Sequence, residues 1–222
     1  MRRAADRTLW GCLLAFTLAT SAHAEPGAKL QAAAKASAAR PFSAREHEAL
    51  AAGSMVSRPL SFDDAGGHYV GGVSYQAVDA RPELVLAALS DVNNWPEALP
   101  RTKSARLLGS SDGLSRVELV QGTSLVDARY TVVLERADGE TIRFWMDPSR
   151  PHDIKDVWGF FRVQPLPGGR SLITVGAALD LGDGLTRMLF EDKIAHMLLR
   201  APRQIRAFVE PRALALSGAV SP

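Results

Sequence analysis

The sequence predicts an α+β fold in which one antiparallel sheet of seven strands packs against a long C-terminal helix. The helix is predicted over Leu185–Glu210, where apolar residues recur at helical spacings and so share one face. These residues are Leu185, Met188, Leu189, Ala195, Leu198 and Leu199. The sheet is predicted between about Val73 and Leu181, where short stretches alternate apolar and polar residues between turns. Because each has an apolar face to bury, we expect the helix to cover the sheet.

The N-terminus has the three regions of a secretory signal peptide. Three arginines stand among the first seven residues, an apolar run follows from Leu9 to Leu18, and Ala22 and Ala24 supply an A-x-A cleavage site. The apolar run is shorter than the roughly 20 residues that a membrane-spanning helix needs. We therefore predict that residues 1–24 are removed before Glu25 and that the mature protein is periplasmic or secreted.

The composition of the mature chain excludes several kinds of function. Cleavage would remove Cys12, the one cysteine, so thiol catalysis, cysteine zinc sites and disulfides are excluded. Residues 1–24 also hold three of the 26 Lys and Arg residues and one of the 24 Asp and Glu residues, which leaves 23 of each sign. A neutral protein lacks the concentrated basic field that nucleic acid calls for. We expect no nucleic-acid partner, whereas a transient membrane contact stays open.

Residues 25–60 are predicted to form a mobile leader and a short helix. The first part, Glu25–Pro41, is rich in Ala, Lys and Ser and shows no apolar period. Ser43 and Glu46 then have the spacing of a capping box, in which each side chain accepts a hydrogen bond from the backbone N–H of the other residue. This pair predicts a helix over Ala44–Ala52.

The remainder fits one domain, predicted over residues 61–212 and followed by a tail at 213–222. A chain of 222 residues with 46% hydrophobic content can bury one good core but hardly two. Just before this domain, Val56–Phe62 is a candidate edge strand, because Pro59 interrupts it and proline is tolerated at sheet edges.

Within the domain, the first strand is predicted at Gly72–Val78, with Val73, Tyr75 and Ala77 alternating against Ser74 and Gln76. A helix over Arg81–Leu89 follows, with Asp79 as its N-cap. Six further strands complete the predicted sheet: Lys103–Leu108, Leu114–Gln121, Leu125–Arg136, Thr141–Asp147, Ile154–Pro165 and Ser171–Leu181.

The alternation within the later strands predicts which side chains face the helix. The inward set is Val126, Ala128, Tyr130, Val132, Leu134, Ile142, Phe144, Met146, Val157, Phe161, Val163, Ile173, Val175, Ala177 and Leu179. Trp145 and Trp158 fall on the opposite face. Small residues among large ones, such as Gly159, Ala128 and Ala177, leave room between sheet and helix, which favours a pocket there.

Motifs that carry chemistry are scarce. The sequence contains no G-x-x-x-x-G-K-[ST] phosphate-binding loop, no H-E-x-x-H zinc-protease motif and no G-x-S-x-G hydrolase motif. Its histidines also lack the spacing of metal ligands. We therefore predict no metal and no cofactor, and we assign no catalytic residue. Asp192 and His196 stand four residues apart on the predicted helix, near the inner edge of its apolar face. They could act as an acid–base pair facing the pocket or form an ion pair at the surface.

Two aromatic residues with polar atoms have two interpretations each. Tyr130 lies on the inward set, where its hydroxyl could meet the polar end of a ligand or bond within the core. Trp95 stands in a loop flanked by prolines, where it could line the mouth of a pocket or simply pack beneath the loop.

The order of these elements resembles the START-like and polyketide cyclase (SRPBCC) superfamily. The resemblance covers roughly Val73–Glu210. It is carried by the segment from Asp91 through Trp95-Pro96 to Pro100 and by the F-x-V-x-P motif of Phe161, Val163 and Pro165. It implies a helix-grip fold, in which a curved seven-stranded antiparallel sheet wraps around the C-terminal helix and short helices follow the first strand. It also implies an apolar ligand between sheet and helix. The signal peptide and the N-terminal extension depart from this pattern.

We therefore expect an exported protein that binds a hydrophobic small molecule, such as a lipid, a sterol or a polyketide-like compound. A cyclase or dehydratase acting through Asp192, His196 or Tyr130, and an interaction protein with a filled core, stay open as alternatives, as does the oligomeric state. The predicted ligand-binding residues are Trp95, Ala128, Tyr130, Phe144, Met146, Phe161, Ala177, Leu189, Asp192 and His196.

Overall fold

The computed structural model describes residues 39–64, 67–124, 126–182 and 185–218, together with the isolated positions 32 and 36. In the last two helices, side chains are described from Asp192 to Leu216. The predicted signal peptide, most of the predicted leader and the last residues of the predicted tail lie outside these ranges. Within them, no helix has the length and apolar character needed to cross a bilayer.

The predicted α+β architecture is confirmed, with eight strands in the described residues where seven were expected. The strands are β1 Val56–Asp64, β2 Gly67–Val78, β3 Thr102–Ser111, β4 Leu114–Gly122, β5 Asp127–Arg136, β6 Thr141–Met146, β7 Asp156–Leu166 and β8 Arg170–Asp180. The helices are α1 Ala44–Ala51, α2 Pro82–Ser90, α3 Trp95–Ala98, α4 Leu185–Leu199 and α5 Ala201–Gly218, with a 3-10 turn at Val92–Asn94. All strands pair antiparallel in the order β1-β2-β8-β7-β6-β5-β4-β3.

The eighth strand is β1, the candidate edge strand around Pro59. It pairs with β2 along its whole length, and Pro59 lies opposite Gly72. An edge strand needs ladder hydrogen bonds on one side only, so a residue without an N–H is tolerated there. The sheet therefore begins at Val56, within the segment expected to precede the domain.

The alternation of Val73 and Tyr75 on β2 left open which face of the sheet they occupy. Both side chains pack on the outer face of the sheet, in a cluster with Leu50 of α1. The register agrees, because Val73 is paired with Gly176, next to the inward residue Val175. Since β2 is buried on both faces, its alternation alone does not distinguish the inner face from the outer one.

A buried arginine holds α1 against this outer face. The predicted capping box is present: the Glu46 backbone N–H donates to Ser43 Oγ, and the Ser43 N–H donates to Glu46 Oε2. Arg58 on β1 donates from Nε and Nη2 to the two oxygens of Glu46, at 3.2 and 3.3 Å. Its guanidinium also lies 5.1 and 5.2 Å from the ring centres of Phe42 and Tyr75. The extension before the domain thus covers one end of the sheet.

This arrangement predicts a pH-dependent stability. The Arg58 guanidinium, followed by the Ser43 backbone N–H, lowers the pKa of Glu46 from 4.5 to about 2. Because the folded pKa lies below the unfolded one, the carboxylate stabilises the fold fully above about pH 4.5 and loses this effect as the pH falls toward about 2. Glu46→Gln should therefore lower the melting temperature at neutral pH, and the gap to wild type should close over that window.

The control is Glu48→Gln, which neutralises an exposed carboxylate on the same helix and should leave the melting temperature nearly unchanged. Melting curves recorded by circular dichroism across the pH range test this prediction. A gap between wild type and Glu46→Gln that stays constant down to the lowest pH would contradict it.

The single long helix predicted over Leu185–Glu210 is divided at Arg200 into α4 and α5. Pro202 explains the division, because proline has no N–H to donate back to the preceding turn and its ring disfavours helical conformation in the residue before it. The carbonyl of Arg200 instead accepts hydrogen bonds from the N–H groups of Arg203 and Gln204 and so opens a new helix. A proline in the first turn of α5 is well tolerated.

The cap of α2 also differs from expectation. The residue before its first turn is Arg81, whose side chain makes no capping hydrogen bond. The predicted cap residue, Asp79, instead accepts a hydrogen bond from Arg170 Nε at 2.6 Å, and its N–H donates to Glu210 of α5. Asp79 therefore ties the end of β2 to β8 and to the last helix.

Candidate functional site

A small apolar cavity lies between the inner face of the sheet and the helices. Its volume is about 60 Å³. The sheet contributes Leu119, Gln121, Tyr130, Val132, Phe144, Val157, Phe161, Val175 and Ala177. The other side is formed by Trp95, Leu99, Pro100, Met197, Leu198 and Ala201. The cavity therefore sits where the sequence predicted a pocket, and the helix break at Arg200 lies at its wall.

Five of the predicted ligand-binding residues line this cavity: Trp95, Tyr130, Phe144, Phe161 and Ala177. The placement of the four that lie on strands follows from strand alternation, which correctly oriented β5 to β8 toward the main core. Ala128 and Met146 share the inner face and contact the same core but lie outside the cavity lining. The side chain of Leu189 lies outside the described residues.

Of the two alternatives for Asp192 and His196, the one in which they face the pocket as ligand-binding residues is wrong. Both side chains are exposed to solvent. The face of α4 that packs on the core carries Ile194 and Leu198. Each of these lies two residues from one of the polar pair, and two residues turn a side chain by about 200° around a helix axis. The pair is therefore on the far side of α4 from the cavity.

Trp95 is fixed by the loop that follows α2. Its indole N–H donates to the carbonyl of Leu89 at 2.9 Å. Asp91 accepts a hydrogen bond from the N–H of Asn93 and so caps the intervening turn, and Asn94 donates to the carbonyl of Ala88 at 3.0 Å. The side chain is buried, at 2% exposed, and also lines the cavity. Trp95 thus packs beneath the loop and contributes to the wall of the cavity.

Aromatic rings form one end of the cavity. Phe161 contacts Trp95 at 6.1 Å and Phe144 at 5.3 Å between ring centres. The ring of Phe144 lies over its cross-strand partner Gly159, where an added Cβ would stand 2.2 Å from Cζ. A larger residue at Gly159 would therefore displace this ring. The small residue is needed for the aromatic packing.

A short chain of polar side chains interrupts the apolar lining. The Tyr130 hydroxyl donates to Gln121 Oε1, and Gln121 Nε2 donates to Thr102 Oγ1 at 2.7 Å. Burial raises the pKa of Tyr130 well above its ordinary value, so its hydroxyl stays neutral. Gln121 was missed from the sequence, although the alternation of Val117 and Leu119 places it on the same face.

Within the described residues, no three or more His, Cys, Asp or Glu side chains are arranged to hold a metal ion. The polar side chains that line the cavity are the Tyr130 phenol, the Gln121 amide and the Trp95 indole, and the Thr102 hydroxyl lies nearby. These groups can donate and accept hydrogen bonds, whereas the surrounding surface suits an apolar molecule.

Comparison with known families identifies the group to which this architecture belongs. A family model described as "Polyketide cyclase / dehydrase and lipid transport" matches residues 73–208, which is more than half of the chain. The chain belongs to this family. The match begins within β2 and ends in α5, and so contains the sheet segments and helices that line the cavity.

Solved structures show the same fold at low sequence identity. Protein TTHA0849 from Thermus thermophilus has a TM-score of 0.55 and 18% identity, with 65% of this chain and 97% of that chain covered. The Zhui aromatase/cyclase from Streptomyces sp. R1128 has a TM-score of 0.54 and 14% identity over 73% and 96%. A STAR-related lipid transfer protein from Xanthomonas axonopodis has a TM-score of 0.55 and 14% identity over 69% and 98%.

These identities establish a shared fold and leave the ligand open. The comparison with curated proteins gives no match. The family and the neighbouring structures together confirm the predicted resemblance to START-like proteins and polyketide cyclases.

Proposed function

We propose that this protein binds a hydrophobic small molecule, such as a lipid, a sterol or a polyketide-like compound, between its sheet and its C-terminal helices. The observation that carries the proposal is the apolar cavity, which joins the aromatic end formed by Trp95, Phe144 and Phe161 to the helix break at Arg200. Binding of an apolar molecule is favoured by a free energy of about 25 cal/mol for each Å² of its apolar surface that such a site removes from water. The family's description supports the same class of ligand.

A ligand of that size requires the cavity to widen. Pockets for drug-sized molecules enclose roughly 300–1,000 Å³, whereas this cavity has about 60 Å³. Helix α5 is held in place, because Gln204 donates to the carbonyls of Glu97 and Leu99 and Arg206 donates to that of Gly53. We infer that α4 moves about the break at Arg200 when a ligand enters.

Narrowing the cavity tests this proposal. Ala177→Leu adds a branched side chain to the lining and should weaken binding of the neutral apolar dye Nile red about tenfold. This loss corresponds to roughly 60 Å² of apolar contact. The control is Ala207→Leu, which makes the same change at an exposed position of α5. Fluorescence titration measures both, and equal affinities for the two variants would count against the cavity as the site.

The cyclase or dehydratase alternative receives less support from the geometry. Of the three residues considered for it, Asp192 and His196 are exposed, and only Tyr130 lines the cavity. The Tyr130 hydroxyl is already bonded to Gln121. Binding is therefore the function that the arrangement supports best, and a filled-core interaction protein is the outcome expected if no apolar probe binds.

We also propose that the protein is exported and that its mature chain begins at Glu25. The support is the basic, apolar and A-x-A order of residues 1–24. Intact mass and N-terminal sequencing of protein recovered from outside the cytoplasm should show Glu25 as the first residue. Retention of Met1 in that fraction would contradict the proposal. Blocking the site with Ala24→Arg should leave the uncleaved precursor, whereas Ala28→Arg, beyond the site, should still be processed.

A further inference from the structure

The cavity's polar groups bear on the kind of ligand that it accepts. Resting on the proposed function, we infer that the ligand is electrically neutral and presents a hydroxyl or carbonyl oxygen to Gln121. Fatty acid anions and phosphorylated lipids would then be poor ligands. Two features of the site support this assignment: the direction of the hydrogen bonds at Gln121 and the absence of charged side chains among the described residues that line the cavity.

The hydrogen bonds around Gln121 run in one direction. Tyr130 donates its only hydroxyl hydrogen to Gln121 Oε1, and Gln121 Nε2 donates one of its two hydrogens to Thr102 Oγ1. Thr102 Oγ1 in turn donates toward the carbonyl of Pro100, at 3.5 Å. The second hydrogen of Gln121 Nε2 and the lone pairs of the Tyr130 oxygen are then the polar groups left for a ligand. A hydroxyl can use both, and a carbonyl oxygen can accept from the amide.

The lining offers no charge to balance an anion. Among the cavity-lining residues that the structure describes, the polar side chains are amide, phenol and indole, and the others are apolar. Burying an ionised carboxylate without a cationic partner costs much more than burying a hydroxyl that forms a hydrogen bond. A neutral amide donor recovers only part of that cost. The same apolar chain should therefore bind more tightly with a neutral polar end than with an anionic one.

Decanol, decanoate and decane have the same chain length, so comparing them separates the effect of a charge from the effect of one neutral hydrogen bond. Isothermal titration calorimetry of the wild type at about pH 8, where the carboxylic acid is ionised, should give at least about tenfold tighter binding for decanol than for decanoate. Decanol should also bind about 2- to 10-fold more tightly than decane, the range expected for one neutral hydrogen bond. Decanoate binding as tightly as decanol would overturn the inference, and so would equal binding of decanol and decane.

Two substitutions at one position test the role of Gln121 itself. Gln121→Leu should remove the advantage of decanol over decane, so the ratio of their two affinities should fall to about one or below. Gln121→Lys supplies a cation and should make decanoate the tighter ligand of the two polar probes. Unchanged preferences in both variants would overturn the assignment of Gln121.

The failure of this inference can be told from failure of the proposed function. If decane and decanol bind equally to the wild type and compete with Nile red, the cavity binds apolar molecules whatever their polar group. In that case the inference fails while the proposed function stands. If none of the three probes binds, the proposed function fails and this inference fails with it.

Discussion

Ile205→Asp is expected to lower the free energy of unfolding by about 3–5 kcal/mol. Ile205 lies on α5 and is fully buried, at 0% exposed, in the main core cluster between helices and sheet. An aspartate there would lose the apolar contacts of isoleucine and would place a carboxylate where the neighbouring side chains are apolar. This change should be among the most destabilising single substitutions in the domain.

Leu214→Asp is the matched control, because Leu214 lies on the same helix but is 72% exposed. We expect it to change the free energy of unfolding by less than about 0.5 kcal/mol. Urea unfolding followed by circular dichroism measures both variants. Similar losses in the two, or no loss for Ile205→Asp, would mean that α5 does not pack against the sheet as described.

Trp95→Ala is the second large effect, with an expected loss of about 3–5 kcal/mol. The indole is almost completely buried, contacts Phe161 and donates to the Leu89 carbonyl at 2.9 Å. Its removal leaves a void at the aromatic end of the cavity and takes away the hydrogen-bond partner of Leu89.

Trp95→Phe separates these two contributions. It retains an aromatic ring against Phe161 and removes the N–H donor, so we expect a smaller loss of about 1–2 kcal/mol. Denaturant unfolding of both variants gives the comparison. A loss below about 1 kcal/mol for Trp95→Ala would show that the loop after α2 is not anchored by this side chain.

Strand alternation correctly predicted which side chains of β5 to β8 face the main core. On β5, Tyr130, Val132 and Leu134 point to this core as expected. The rule does not decide the face on β2, because α1 covers the outer face there and Tyr75 packs beneath it. Local alternation carries no information on a helix that arrives from a distant part of the chain.

The helix region was harder to predict in detail. The apolar spacing correctly indicated a helical segment, but it contains no sharp signal for the rotation of α4 about its own axis. Asp192 and His196 therefore appeared to be near the pocket, although they face solvent. Pro202 was a visible signal of the break at Arg200.

The polar end of the cavity could have been found earlier. Gln121 follows Val117 and Leu119 at every second position, so the rule that selected Tyr130 also selects it. Its role depends on the pairing of β4 with β5 and on its hydrogen bond to Thr102 on the neighbouring strand β3. No local pattern in the sequence reveals these contacts. Sequence thus predicted the apolar walls better than the polar contacts between strands.

Native mass spectrometry of the protein purified from its own host should show directly whether a ligand occupies the cavity between sheet and helices. We expect a noncovalent adduct with the mass of a neutral apolar molecule on the wild type, reduced in Ala177→Leu and retained in Ala207→Leu. Solvent extraction of the same samples would identify the released molecule. A bare protein mass in the wild type, or an adduct equally abundant in both variants, would contradict binding in the cavity between sheet and helices.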